Sequence, residues 1–248
     1  NFPNKSVIKC CSISKDMEIS QPKTVLSQPY DLSFPNVFEY KDTVYMIPEN
    51  SRGTIEIYEA IDFPYTWKLE KEFGTGIHLH SPTIFQNKGT WFLLGTVRTY
   101  RNTNYESEGV QGIATSADDG LLILYSDDPL NKWNIHPKCT NGFLYIPESR
   151  NAGHVFTYNK KLIKPIQQTN PILPESGHSI GFKEINIDKE NYTESYINKE
   201  ILPNWYKNLK STQTFNFNED LILIDGKLKG PYSNEDIFKG KDQTFVDY

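Results

Sequence analysis

Short runs of alternating apolar and polar residues, broken by Gly, Pro, Asn and Asp, occupy nearly the whole chain. A period of two predicts strands. A longer repeat lies within it. Phe38-Glu-Tyr-Lys-Asp-Thr-Val-Tyr-Met46, Phe85-Gln-Asn-Lys-Gly-Thr-Trp-Phe-Leu93, Phe156-Thr-Tyr-Asn-Lys-Lys-Leu-Ile-Lys164 and Phe215-Asn-Phe-Asn-Glu-Asp-Leu-Ile-Leu223 share one internal order. Each opens on Phe, crosses a polar turn and restarts a hydrophobic strand at Val44, Trp91, Leu162 or Leu221. Self-similar hairpins of this kind mark repeated supersecondary units.

Three of the hairpins are followed by a second strand pair. These pairs are 54–60 with 67–73, 121–126 with 133–136, and 179–185 with 192–201. Four antiparallel strands repeated along a chain predict the blade of a β-propeller. Residues 188–200 alone have some helical composition, and their Tyr, Thr and Ile content suits a strand equally. At the ends, 6–26 reads as an outer pair without an inner one, and 213–225 as an inner pair with little after it. Either the termini complete one blade between them, giving four, or a fifth blade has its inner strands upstream of Asn1. Gln243-Thr-Phe-Val-Asp-Tyr248 echoes Gln213-Thr-Phe-Asn-Phe217 as a further innermost strand. No low-complexity linker divides the chain, so 1–248 is expected to be a single domain, a segment of a larger protein.

Propeller geometry sorts the polar residues. The turns after the repeated Phe residues fall on one face of the disc and are expected to be inert. The other face collects Asp31, Glu49, Arg52, His78, His80, Ser81, Glu148, Arg150, His154, Gln167, Gln168 and His178. Of the histidines, only His136 falls elsewhere. The connection 96–120, with Arg98, Arg101, Glu106 and Glu108, is long for its type, and long polar loops are either functional or solvated excursions. His78 and His80 share a side if extended, but no acidic partner stands at a recognisable metal-ligand spacing, so no metal is expected. Glu49 and Glu148 recur in Ile-Pro-Glu tripeptides. Such a pair suits the acid and base of a glycosidase or salt bridges to Arg52 and Arg150. No Ser-His-Asp order, phosphate loop or cofactor fingerprint appears, and no cofactor is expected.

Composition narrows the partners. The 248 residues carry a formal net charge of −5 with both signs interspersed. No basic stripe exists to neutralise phosphates, which argues against nucleic acid. No apolar run is long enough for a transmembrane helix. Cys10, Cys11 and Cys139 lack metal-ligand spacing and are expected to be free thiols in a reducing, cytoplasmic compartment. A removed signal peptide upstream of Asn1 is the alternative.

Ser33-Phe-Pro-Asn-Val-Phe-Glu39, continuing to Tyr45-Met-Ile-Pro-Glu49, resembles one known family. It is the five-bladed, glycoside-hydrolase-family-43-like propeller found as the N-terminal domain of glucosamine inositolphosphorylceramide transferase. Phe63-Pro-Tyr-Thr-Trp67, Ile123-Leu-Tyr-Ser-Asp-Asp-Pro-Leu-Asn-Lys-Trp133, Arg150-Asn-Ala-Gly-His154, Lys164-Pro-Ile-Gln167 and Ile224-Asp-Gly226 extend the likeness in order. The resemblance implies five blades and a carbohydrate-related role. It also exposes departures. The family's first inner strand, which carries the general-base Asp in family 43 hydrolases, is absent upstream. The Asp-Pro of the third blade is Ser81-Pro82, the family's Arg at the Ala-Gly-Arg position is His154, and the His near Ser-Tyr-Pro is displaced towards Asp31. Loss of a carboxylate removes acid–base catalysis.

The expected function is therefore a carbohydrate-binding or carbohydrate-processing propeller of a glycan-assembly protein, taking a saccharide or nucleotide sugar. Arg52, His80, Ser81, Arg150, His154, Gln167 and His178 are the candidate binding residues, with Asp31, Glu49 and Glu148 as candidate carboxylates. An active glycoside hydrolase or glycosyltransferase, and a protein-docking propeller, are the alternatives.

Overall fold

The computed structural model describes residues 5–74, 76, 78–97, 120–140, 142–169, 178–205, 207–217 and 221–228. All regular structure among them is β. β1 (Ile8–Cys10) pairs with β2 (Lys23–Leu26). β3 (Leu32–Tyr40), β4 (Thr43–Asn50), β5 (Thr54–Asp62) and β6 (Thr66–Gly74) form an antiparallel meander. β7 (Leu79–Asn87), β8 (Thr90–Val97) and β9 (Gly120–Ser126) build a second sheet, whose outer strand is split into β10 (Asn134–Ile135) and β11 (Leu144–Tyr145). β12 (Phe156–Tyr158), β13 (Lys161–Thr169), β14 (His178–Ile187) and β15 (Tyr192–Ile201) make the third. β16 (Leu209–Ser211) pairs with β19 (Lys227–Leu228), and β17 (Phe215–Phe217) with β18 (Ile222–Ile224). No helix among the described residues is long and apolar enough to cross a membrane.

The three described turns of the repeated hairpins have a common backbone. Lys41 and Asp42, Lys88 and Gly89, and Asn159 and Lys160 all have positive φ. Positive φ at both central residues is the type I′ signature, whose twist matches that of the flanking strands. Burial then separates inner from outer strands. β8 is buried along almost its whole length, whereas β6 is mostly exposed.

Phe38, Phe156 and Phe215 of the repeat lie at the seams between sheets. Phe38 of the first sheet packs on Trp91 of the second, ring centroids 5.4 Å apart. Phe156 and Phe182 of the third pack on Phe215, at 5.8 and 5.1 Å. Such pairs contribute about 0.5–1.5 kcal/mol beyond their burial. One large core runs through the first three sheets, and a smaller one joins Ala152, Ile180 and Phe215. Ile8 and Leu26 of the N-terminal hairpin pack with Leu32, Met46 and Tyr58 of the first sheet.

Residues 192–201 are strand, as the strand pairing predicted. Residues 140–153 contain β11 and a bridge from Asn151 to Ile166, and residues 206–213 contain β16. Two-residue strands such as β11 and β19 are too short to carry a periodic signal. Arg98, Arg101, Glu106, Glu108 and the segment 243–248 lie outside the described residues, as does the side chain of His178.

Candidate functional site

The site grows from an irregularity shared by two innermost strands. β3 and β7 each carry a residue–proline step, Phe34-Pro35 and Ser81-Pro82. Phe34 and Ser81 have φ of 45° and 48°, and the register with the neighbouring strand shifts at both places. A left-handed backbone at a residue other than glycine persists only where its surroundings hold it. At Ser81 those surroundings are visible. Its N–H donates to Glu49 Oε2 at 2.7 Å, its Oγ accepts from Arg150 Nε at 3.3 Å, and its carbonyl accepts from Asn151 Nδ2 at 2.8 Å. The first, second and third sheets thus meet at one residue.

Alternation along β7 and the residue before it does the rest. Leu79 turns into the core, while His78 and His80 turn to the other side, their rings 4.0 Å apart. Glu49 Oε1 lies 2.9 Å from His80 Nδ1 and 4.0 Å from His78 Nε2. His80 is buried, Glu49 is nearly so, and the His78 side chain is 40% exposed. The acidic partner that spacing did not reveal is therefore Glu49, brought across from β4.

Burial alone would raise the Glu49 carboxyl. The His80 contact, the Ser81 N–H and the charges of His80 and Arg150 outweigh it and hold the group below the usual carboxylate range. Glu49 is thus an ionised acceptor, suited to hydroxyl, ammonium or cation recognition and poorly suited to proton donation. His154 behaves oppositely: burial pushes its pKa down, against a hydrogen bond from Nε2 to Val37 O at 2.7 Å. A neutral His154 clamps the third sheet onto β3.

Beneath the cluster, Asn151 is fully buried, and its Nδ2 also donates to Leu94 O at 3.1 Å. Gln167 Nε2 donates to Asn151 O at 3.0 Å, and the Gln167 N–H to Arg150 O at 2.9 Å. Asn36 provides a similar staple, accepting from Ile84 N at 3.1 Å. Sequence reasoning missed both asparagines as organising residues. A polar amide inside the apolar run Ser33-Phe-Pro-Asn-Val-Phe38 was the available signal for Asn36.

The structure brings Glu49, His80, Ser81, Arg150 and Gln167 into one hydrogen-bonded neighbourhood, with His78 added. The remaining candidates have separate partners. Asp31 accepts from Ser6 N at 2.7 Å, tying β1 to the first sheet. Arg52 pairs with the buried Glu56 at 3.2 Å and with Glu72 at 3.5 Å, over the Tyr30 ring. Glu148, at φ 53°, accepts from Tyr196 OH at 2.9 Å and Gln168 Nε2 at 3.3 Å. Lys183 anchors that turn by donating to Pro147 O at 2.6 Å. A surface hollow lined by Asn87, Lys88, Thr90 and residues 187–191 lies at the opposite turns. It is a seam between sheets, closed by Asn87 Nδ2 donating to Ile187 O.

This architecture is found among solved sugar-active enzymes. The chain superposes on an exo-β-1,3-galactanase from Phanerochaete chrysosporium with a TM-score of 0.52 at 8% identity, covering 90% of this chain and 47% of that one. For an α-L-arabinanase from Cellvibrio cellulosa the TM-score is 0.52 at 11% identity, covering 73% and 64%. At such identities the likeness concerns the fold alone, a propeller of the glycoside hydrolase family 43 kind. Sequence narrows the class further. Residues 7–217 match the family described as glucosamine inositolphosphorylceramide transferase 1, N-terminal, and the chain belongs to that family. It is 33% identical over 177 residues to glucosamine inositolphosphorylceramide transferase 1 of Arabidopsis thaliana, covering 68% of this chain and 20% of that protein. The protein of the same name from Oryza sativa subsp. indica is 30% identical over 181 residues, covering 71% and 22%. The chain spans about a fifth of the length of these relatives.

Proposed function

We propose that this chain is a saccharide-binding propeller module of a larger glycan-assembly protein, and that its sugar site is the surface of Glu49, His78, His80 and Arg150. The observation that carries the reading is the anchored Glu49 carboxylate, ionised and flanked by imidazole and guanidinium donors. Fixed acceptors beside fixed donors match the alternating demands of sugar hydroxyls. Arg150 adds affinity for a phosphate, as in a nucleotide sugar or a sugar phosphate. The relatives are named for glucosamine and inositolphosphorylceramide, so amino sugars and inositol phosphates head the ligands to test.

A catalytic reading also has one observation in its favour, since an ionised Glu49 suits a base or nucleophile. Glycoside hydrolysis needs a second carboxyl that donates a proton. Glu148 is engaged by Tyr196 and Gln168, and Asp31 by Ser6, so the binding reading is favoured. We further infer five blades, with β1 and β2 the outer part of a blade whose inner strands lie outside the described residues.

Titration calorimetry against glucosamine, UDP-sugars, inositol phosphates and β-linked oligosaccharides, with product release followed in parallel, tests the proposal. Saturable binding without turnover is expected. Turnover would establish the catalytic reading, and absence of binding across the panel would refute the saccharide site.

A further inference from the structure

Glu49, His78 and His80 present one carboxylate oxygen and two imidazole nitrogens that lie within 4.8 Å of one another. The two histidines stand two apart on one side of a strand, and the carboxylate arrives from the adjoining sheet. Ser81 N–H holds Oε2 at 2.7 Å, which leaves Oε1 as the oxygen that both imidazoles approach. A backbone donor fixing the far oxygen of a carboxylate is the kind of outer support that orients metal ligands.

We propose that Glu49, His78 and His80 form a binding site for one divalent transition-metal ion of the zinc type. Two nitrogens and one oxygen suit zinc, cobalt or iron(II), whereas calcium and magnesium require mostly oxygen ligands. Bond lengths of about 2.0–2.1 Å in a tetrahedral site put donor atoms about 3.3 Å apart. The distances from Glu49 Oε1, 2.9 Å to His80 and 4.0 Å to His78, bracket that value. The buried members, Glu49 and His80, are held in place, and the half-exposed His78 is the one that adjusts. Three protein ligands leave a fourth position open to solvent on the His78 side. A water or a ligand hydroxyl would complete it. The site shares Glu49, His78 and His80 with the saccharide reading but does not rest on it, because metal binding is measured with no sugar present.

The test uses the whole chain, stripped with chelator, in a Cys10→Ser/Cys11→Ser background, since Cys10 and Cys11 are free thiols outside the core. Zinc chloride is titrated calorimetrically, and cobalt chloride by visible absorption. The expected result is one saturable equivalent, with cobalt bands free of thiolate charge transfer. His78→Ala is expected to weaken zinc at least about tenfold in a variant that still unfolds cooperatively without metal. Glu49→Gln and His80→Ala are expected to weaken zinc at least as much. Absence of saturable binding, zinc affinity indifferent to His78→Ala, or preference for calcium over zinc would each overturn the site and leave an ordinary His80–Glu49 hydrogen bond with His78 stacked beside it.

Discussion

Asn151 is the side chain that ties the third sheet to the second beneath the candidate site, and replacing it gives a quantitative test. Its Nδ2 donates to Ser81 O at 2.8 Å and to Leu94 O at 3.1 Å, and the residue is fully buried. In Asn151→Ala both bonds disappear and the carbonyls stay buried. At about 1 kcal/mol for each bond and 1–3 kcal/mol for a buried acceptor left unsatisfied, the loss is about 3–5 kcal/mol. Asn151→Asp is the sharper probe. It preserves shape but sets an oxygen against two carbonyl oxygens. The acid can donate one hydrogen bond only when protonated, so its folded pKa must rise above the unfolded value of about 3.9. Stability relative to wild type is then best preserved below that value and lost as pH rises through the folded pKa. Urea unfolding of wild type and both variants at pH 4 and pH 7 provides the measurement. Asn151→Asp should be the less stable variant at pH 7 and should recover relative to wild type at pH 4. A loss under about 1 kcal/mol for Asn151→Ala, or an Asn151→Asp penalty indifferent to pH, would refute the staple.

Three further outcomes follow from the geometry. Gly153 has φ 141°, and a Cβ there would stand 2.0 Å from Phe215 O; Gly153→Ala should cost at least about 3 kcal/mol in chemical denaturation. His154 has a depressed folded pKa, so its contribution is intact above the unfolded value of about 6.5 and is lost as pH falls through the folded one. Melting temperatures between pH 7.5 and 5.5 should therefore fall more for wild type than for His154→Gln. Arg52→Ala removes the cation facing buried Glu56 but leaves the Tyr30 and Tyr58 hydroxyls. It should lower stability in chemical denaturation and leave saccharide affinity unchanged, whereas Arg150→Ala should weaken it.

The strand framework was legible because strands announce themselves locally. The Phe repeat marked the hairpins and, unforeseen, the residues that seal one sheet to the next at Phe38–Trp91 and Phe156–Phe215. The site was legible only in part. His80, Ser81, Arg150 and Gln167, which the hairpin map grouped on one face, share one hydrogen-bonded neighbourhood. Their connection to Glu49 depends on a contact between sheets that no local pattern encodes. The same map put Asp31 and Arg52 at the mouth by loop position alone. It did not show that Ser6 N–H and Glu56, each supplied by a different strand or hairpin, engage them. Asn151 was read only as part of a family motif, because a buried amide looks like any surface asparagine until its partners are known.

The central claim is that an ionised Glu49, held by Ser81 and His80, organises a saccharide site. The direct measurement is calorimetric affinity for the tightest ligand of the saccharide panel, wild type against Glu49→Gln, in metal-free buffer at pH 7. The amide keeps the shape but removes the charge, and a hydrogen bond to a charged group is worth about 1.5–3 kcal/mol. The account predicts an affinity loss of at least about tenfold in a variant that still unfolds cooperatively. Unchanged affinity in the folded variant would contradict it.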